Sequence, residues 1–234
     1  MPAPRLVVLT GAGVSADSGV DTFRTAGGPW ERYDAAEVAT PEGFARNPGL
    51  VHEFYDLRRA ALPGVAPNAA HWALARLQDR LEEAGGALTL VTQNVDDLHE
   101  RAGSRGVLHI HGELAKAACG SCGAVHDWPG PLADGPPCPS CGKAALRPYV
   151  VWFGEMPRFL REAEAALATA DAFVSIGTSG SVYPAAGMVH AARSLRLRTV
   201  ELNLEPSENA DAFTEARYGR AAQIVPQWAE EVTW

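Results

Sequence analysis

This sequence predicts a doubly wound α/β domain with a smaller module set beside it, on three observations. Short, continuously apolar runs alternate with helical stretches along the chain. The first of those runs feeds straight into a glycine-rich turn. All four cysteines are confined to residues 119–141.

The strands come first. Residues 6–9, 88–91, 172–176 and 199–202 are apolar throughout rather than alternating, which suits a parallel sheet covered on both faces. A weaker run at 223–225 is read as a fifth strand. Between them, residues 68–84 form the clearest helix. Asn68 is its N-cap, Leu74, Leu77, Leu81 and Ala84 make its apolar stripe, and Gly85-Gly86 end it. A second helix over 158–170 is rich in Ala, Glu and Leu. Two segments break the alternation. Residues 27–63 read as a loop followed by helix, and 113–148 are rich in Gly, Pro and Cys with almost no periodicity. Residues 1–26, 64–112 and 149–234 are therefore assigned to the main domain. The helical insertion 27–63 and the cysteine module 113–148 make the small one.

A chain of 234 residues can bury one sizeable core and carry such an accessory unit. With 47% hydrophobic and 21% charged residues, the balance is that of an ordinary globular protein. The net charge of -8, with no Lys/Arg-rich block, argues against broad nucleic-acid binding. No apolar run approaches a membrane span and the start lacks a secretory signal pattern, so a cytoplasmic protein without membrane attachment is expected.

The first strand leads into Thr10-Gly11-Ala12-Gly13-Val14-Ser15-Ala16, a Gly-x-Gly-x-x-Gly/Ala pattern in a strand–turn–helix setting. Glycine lets the backbone turn tightly and approach a pyrophosphate, and free N–H groups at a helix start favour its charge. The expected fold is Rossmann-like. A nicotinamide dehydrogenase would also need a second strand ending in Asp or Glu about 20 residues on. Here that region reads Gly27-Gly28-Pro29-Trp30-Glu31, which is no strand. The loop predicts a dinucleotide, but not the dehydrogenase layout.

Cys119-x-x-Cys122 and Cys138-x-x-Cys141 are separated by fifteen residues. This spacing predicts one structural Zn2+ held by four thiolates, with no open position for water. A disulfide or redox role is the weaker reading for a cytosolic chain.

Beyond the turn, Ser15-Ala16-Asp17-Ser18-Gly19-Val20-Asp21-Thr22-Phe23-Arg24 resembles the sirtuin signature G-A-G-x-S-x-x-S-G-I-P-x-F-R. Further segments follow in the family's order. Thr92-Gln93-Asn94-Val95-Asp96-Asp97-Leu98-His99 is similar to T-Q-N-[IV]-D-x-L-H, and His111-Gly112-Glu113-Leu114 to the catalytic H-G segment. Val150-Val151-Trp152-Phe153-Gly154-Glu155 resembles the substrate strand. Gly177-Thr178-Ser179, Val182-Tyr183-Pro184-Ala185 and Asn203-Leu204-Glu205-Pro206 resemble the later NAD loops. One departure is Asp21, where the family usually has a φ-fixing proline.

The resemblance implies NAD-dependent removal of acyl groups from protein lysines. It places the pyrophosphate on Gly11, Ala12, Gly13 and Ser179, beside Gly177 and Thr178, and the adenosine near Asn203, Leu204, Glu205 and Ala221. Ser15, Ser18, Gln93, Asn94 and Asp96 are also implied to bind NAD, with Asp96 on the nicotinamide amide and Asn94 orienting the ribose or a water. Phe23 and Arg24 close the pocket. His111 is the implied general base, accepting a proton from a ribose hydroxyl. His109 lies two residues away and, in an extended segment, would point the same way, so spacing alone does not choose between them. The products are nicotinamide, O-acyl-ADP-ribose and free lysine, and no hydride moves. Val151 and Trp152 would pair with the substrate backbone by β-augmentation.

Within Phe54-Tyr55-Asp56-Leu57-Arg58-Arg59, Tyr55 and Arg58 share one helix face. The bland reading is a packed tyrosine and a solvated arginine. The pair also resembles the Tyr-x-x-Arg of sirtuins acting on acidic acyl groups, where guanidinium and phenol grip a carboxylate. Arg59 is offset around the helix. Removal of succinyl or malonyl groups is expected, with deacetylation retained. A mono-ADP-ribosyltransferase on the same scaffold is the rival, and a non-catalytic nucleotide- or zinc-binding module a more distant one.

Overall fold

The computed structural model describes residues 3–20 and 32–232. Strand β1 (Arg5–Thr10) runs into a five-residue helix, α1 (Ala12–Ala16). Beyond residue 31 come α2 (Ala35–Val38), α3 (Pro41–Arg46), α4 (Pro48–Ala61) and α5 (Ala69–Glu83). Next are β2 (Ala87–Thr92), α6 (Leu98–Arg101) and β3 (Leu108–His109). A separate group follows: β4 (Gly112–Cys119), β5 (Val125–Asp127) and β6 (Leu146–Val150). The chain returns through α7 (Leu160–Leu167), β7 (Ala172–Ile176), α8 (Met188–Ser194), β8 (Arg198–Asn203), β9 (Glu215–Tyr218) and α9 (Ala221–Glu231).

The first sheet is parallel, in the order β3-β2-β1-β7-β8-β9. Strand side chains alternate between faces, and β1 shows how that winds helices on both sides. Leu6 and Val8 join Leu74, Leu77 and Leu81 of α5 and Val225 and Trp228 of α9. Val7 and Leu9 join Ala163 and Leu167 of α7 and Val189 and Ala192 of α8. Strand order reverses between β1 and β7, which places a topological switch point at their carboxyl ends. The second sheet is antiparallel, in the order β5-β4-β6. Val51, Phe54 and Tyr55 of α4 pack against Leu114, Val150 and Trp152, so the helical insertion and the second sheet share a core.

The expected strands at 6–9, 88–91, 172–176 and 199–202 all form, most of them a residue longer at each end. The run at 223–225 does not: it lies inside α9, and the last strand is Glu215–Tyr218. Ala221, Val225, Trp228 and Ala229 are buried along one side of that helix, a spacing of helical period that a three-residue window cannot reveal. Asp17 adds a local cause, since its Oδ2 accepts from the Ala222 N–H at 3.1 Å and so caps the helix start. Ala221 accordingly opens a helix rather than preceding a strand. Asn68 caps α5 as expected, through Ala70 N at 2.9 Å, whereas Ala84 is exposed beyond the helix end. The helix expected over 158–170 is shorter, because Phe159 sits at φ 53°, outside helical geometry, and the helix begins only after it.

Candidate active site and metal centre

Three glycines build the switch point. The Gly11 N–H donates to Ile176 O and the Gly13 N–H to Gly177 O, both at 2.9 Å. A Cβ on Gly11 would stand 2.7 Å from Gly177 O, and one on Gly13 2.7 Å from Gly177 Cα. Gly177 itself has φ 62°, a conformation costly for other residues. The β1 and β7 loops therefore touch backbone to backbone, and any side chain here would force them apart. Beside them, Asn203 Nδ2 donates to Thr178 O at 2.8 Å, and the Ser179 and Ser181 hydroxyls lie 2.7 Å apart. Leu204 and Glu205 are exposed at the rim.

Below the loops lies a buried polar network. Ser15 Oγ accepts from Asn94 Nδ2 at 3.0 Å and donates to Asp96 Oδ2 at 3.1 Å. Asp96 Oδ1 accepts from the Leu98 N–H at 3.2 Å. Burial raises the Asp96 pKa, with those two hydrogen bonds pulling the other way. His71 stands at 3.4 Å from Ser15 through Nε2, while its Nδ1 accepts from the Asn68 N–H. That contact puts the ring hydrogen on Nε2. Burial holds the His71 pKa at about 4, so the ring is neutral. Asn68 Nδ2 also donates to Val14 O at 2.8 Å and Ser18 Oγ at 3.0 Å, joining α5 to the end of α1. Thr10 Oγ1 bridges Thr92 Oγ1 at 2.8 Å and His99 Nε2 at 3.0 Å.

The two candidate histidines have different environments. His109 Nδ1 is 3.0 Å from Asn94 O and Nε2 is 2.8 Å from Glu100 Oε1. Both partners are acceptors, so both ring nitrogens carry hydrogen. Burial lowers the His109 pKa, but the hydrogen bond and charge of Glu100 outweigh it and the net shift is upward. With both nitrogens engaged by acceptors, His109 offers no open lone pair to a substrate hydroxyl. His111 has one acceptor, Gln93 O at 3.1 Å from Nδ1. Nδ1 carries the hydrogen there and Nε2 keeps its lone pair. Burial lowers the His111 pKa, partly offset by that bond, and the ring is neutral at neutral pH. The Val151 N–H donates to His111 O at 2.8 Å, so the strand after β6 is tied to this histidine.

On α4, Tyr55 is buried and its hydroxyl accepts from Trp152 Nε1 at 3.1 Å. Burial raises the Tyr55 pKa and keeps the phenol protonated. The Arg58 guanidinium lies over the Phe54 and Tyr55 rings, 5.5 and 5.8 Å from their centroids. Arg59 turns away. It is only 3% exposed, donates to Leu114 O at 2.7 Å and pairs with Asp56. Asp56 Oδ2 in turn accepts from Leu132 N and Ala133 N at 2.8 and 2.9 Å, so this pair joins α4 to the cysteine module.

The four cysteine sulfurs lie within 4.8 Å of one another. Cys119 and Cys141 are 3.7 Å apart, and Cys122 and Cys138 3.8 Å. Tetrahedral Zn2+ with Zn–S bonds of about 2.3 Å sets its sulfurs about 3.8 Å apart, whereas a disulfide needs about 2.05 Å. The donor set fits zinc.

Comparison with known proteins places this geometry. The Sir2 family model matches residues 11–184. The chain belongs to the Sir2 family. An NAD-dependent protein deacylase of Caulobacter vibrioides is 57% identical over 231 residues, which cover 97% of this chain and 96% of that protein. Among solved structures, a Sir2 homologue in complex with NAD has TM-score 0.87 at 39% identity, covering 97% of this chain and 89% of the other. A Sir2 mutant with a deacetylated peptide and 3′-O-acetyl-ADP-ribose has TM-score 0.84 at 29% identity, covering 98% and 94%.

In this Sir2 chain the expected Ser15, Ser18, Asn94 and Asp96 gather in or beside one network, and Gly11, Gly13 and Gly177 in one contact. Ala12 opens α1 next to them, and Ala221 is buried at the start of α9. Gln93 is held by its N–H on Thr10 O at 2.9 Å. Phe23, Arg24 and Asp21 lie outside the described residues. Sequence reasoning missed Asn68 as a tie between helices and His71 as a site residue, and it read Thr10, Thr92 and His99 only as motif letters, with no role. His71 carried a usable signal: it is a polar residue three positions before Leu74, in line with the apolar stripe of α5.

Proposed function

We propose that this Sir2 chain is an NAD-dependent protein-lysine deacylase whose general base is His111. The observation that carries this is the contact of His111 Nδ1 with Gln93 O at 3.1 Å, which leaves Nε2 to accept a proton. NAD is a co-substrate, consumed to nicotinamide and O-acyl-ADP-ribose as the lysine is freed. Gly11, Ala12, Gly13 and Ser179, with Gly177 and Thr178, receive the pyrophosphate; Asn203, Leu204, Glu205 and Ala221 receive the adenosine. Ser15, Ser18, Gln93, Asn94 and Asp96 bind NAD, Asp96 on the nicotinamide amide and Asn94 on the ribose or a water, with Phe23 and Arg24 as the cover. His111 Nε2 takes the ribose hydroxyl proton, which readies that oxygen for attack. Val151 flanks the substrate backbone, whereas the Trp152 N–H and C=O are both taken by Glu155, so Trp152 adds no ladder bond. One Zn2+ on Cys119, Cys122, Cys138 and Cys141 holds the small domain (27–63 and 113–148) together and does no chemistry. Tyr55 and Arg58 give a preference for succinyl and malonyl groups alongside acetyl. No helix among the described residues is long and apolar enough to cross a membrane, and we place the protein in the cytoplasm.

Mass spectrometry of succinyl- and acetyl-lysine peptides, with and without NAD, tests the reaction. NAD-dependent loss of both acyl groups is the expected result. Unchanged peptides with ADP-ribose appearing on a protein acceptor would instead support mono-ADP-ribosyl transfer, which nothing in the geometry favours.

Two further outcomes follow from the site. The base must be neutral to act, and the His111 pKa lies below 6.5. The acidic limb of the kcat/KM profile should therefore fall below pH 6.5, with activity rising as pH increases through it. A limb at or above 6.5 would contradict the assignment. Arg58→Met should raise the KM for a succinyl-lysine peptide relative to an acetyl-lysine peptide by roughly 10- to 100-fold, the range of a hydrogen bond to a charged group. Equal changes for both peptides would remove the acidic-acyl reading.

A further inference from the structure

The hydroxyl of Tyr55 is not loose in its pocket. Trp152 Nε1 donates to it at 3.1 Å, and both residues are 3% exposed. An indole nitrogen can only donate, so the phenol oxygen is the acceptor in this contact. A phenolic hydrogen prefers the ring plane and has two positions there. The indole N–H approaches from one side, so the Tyr55 hydrogen turns to the other. The tryptophan is itself held. The Arg147 guanidinium lies 3.5 Å from the centre of its ring, and a cation over an indole face strengthens N–H donation at the edge. Arg147 is held by both Glu155 oxygens, at 2.6 and 3.0 Å. Glu155 Oε2 also accepts from the Trp152 backbone N–H at 2.9 Å. Phe44 packs on the indole with ring centroids 5.1 Å apart. Glu155 and Arg147 therefore orient Trp152, and Trp152 orients Tyr55.

We infer that Trp152 is a positioning residue for acidic acyl groups: its indole N–H presets the Tyr55 hydroxyl as a donor to the acyl carboxylate. This rests on the reading of Tyr55 and Arg58 given above. An acetyl group has no carboxylate to receive that hydrogen. The device therefore separates acyl classes, and it works through ground-state affinity.

Trp152→Phe keeps an aromatic ring beneath Arg147 and removes the donor. The expected result is a three- to tenfold rise in the KM ratio of succinyl- to acetyl-lysine peptide, the size of one neutral hydrogen bond. In a Tyr55→Phe background the same substitution should shift that ratio no further, because the hydroxyl it orients is gone. A packing role would persist in that background. An unchanged ratio, or a shift of the same size with and without the Tyr55 hydroxyl, overturns the inference. Arg58→Met is run in parallel: if it does not shift the ratio, the acidic-acyl reading fails first. Should Trp152→Phe fold poorly by thermal melting, benzothienylalanine at position 152 replaces the N–H with sulfur at nearly constant shape, and the same outcomes apply.

Discussion

Replacing His111 with alanine is expected to lower kcat/KM for acetyl- and succinyl-lysine peptides by about 10²- to 10⁴-fold, the usual contribution of a positioned general base. The ring is fixed by one backbone contact, Nδ1 to Gln93 O at 3.1 Å, and is followed by Gly112 at φ 81°. A Cβ at Gly112 would stand 2.1 Å from Tyr149 O, so the turn that aims the histidine admits no other residue. Removing the imidazole leaves that turn and the Val151–His111 backbone bond in place. The loss should therefore appear in turnover while the melting temperature stays within a few degrees of the parent. Steady-state kinetics with both peptides, beside a thermal melt, reads both quantities. A drop of less than tenfold would move the base role elsewhere.

His109 shows where legibility in the sequence ended. Two histidines two residues apart look equivalent, and only a family motif separated them. The distinction is made by partners from another element: Glu100 and Asn94 engage both His109 nitrogens and the net shift of its pKa is upward, whereas Gln93 alone contacts His111. No spacing rule carries that. Continuous apolar strands were legible because burial on both faces of a parallel sheet leaves a local mark. The 223–225 segment was not, because a short apolar run suits a strand or a helix and is settled by Trp228, Ala229 and a cap from Asp17 more than 200 positions away. The antiparallel strands β4 and β6 were hidden for a related reason. Their register shifts between Gly112 and Ala117, which breaks the alternation a strand reading needs. The thiolate spacing was legible in full, since a metal shell imposes short, fixed intervals on the chain. The tie of Asp56 and Arg59 to the cysteine module was invisible; Arg59 looked only like a residue offset from Arg58.

That tie sets the consequence of removing the metal. Structural zinc contributes roughly 10–16 kcal/mol to folding of small zinc units, comparable to the about 5–15 kcal/mol that stabilises a whole domain. The core beneath the cysteines is small, formed by Ala117, Cys119, Leu132, Cys138 and Leu146, and cannot replace it. Chelation, or Cys138→Ser, should therefore unfold residues 119–145 while the six-stranded sheet persists. Leu132 and Ala133 would then lose their bonds to Asp56, and Arg59 its contact with Gly130 O. Arg59, only 3% exposed in the intact fold, loses part of its setting, so α4 loosens and Tyr55 and Arg58 lose their alignment. The expected outcome is one equivalent of zinc by elemental analysis of the intact protein, new proteolytic cuts within 119–145 after chelation, and retained far-UV helical signal. Desuccinylation should fall more steeply than deacetylation as zinc is withdrawn, because the acyl helix is the element joined to the module. Protein that purifies without metal and resists proteolysis between the cysteine pairs would show that the four sulfurs, despite their tetrahedral spacing, do not depend on an ion.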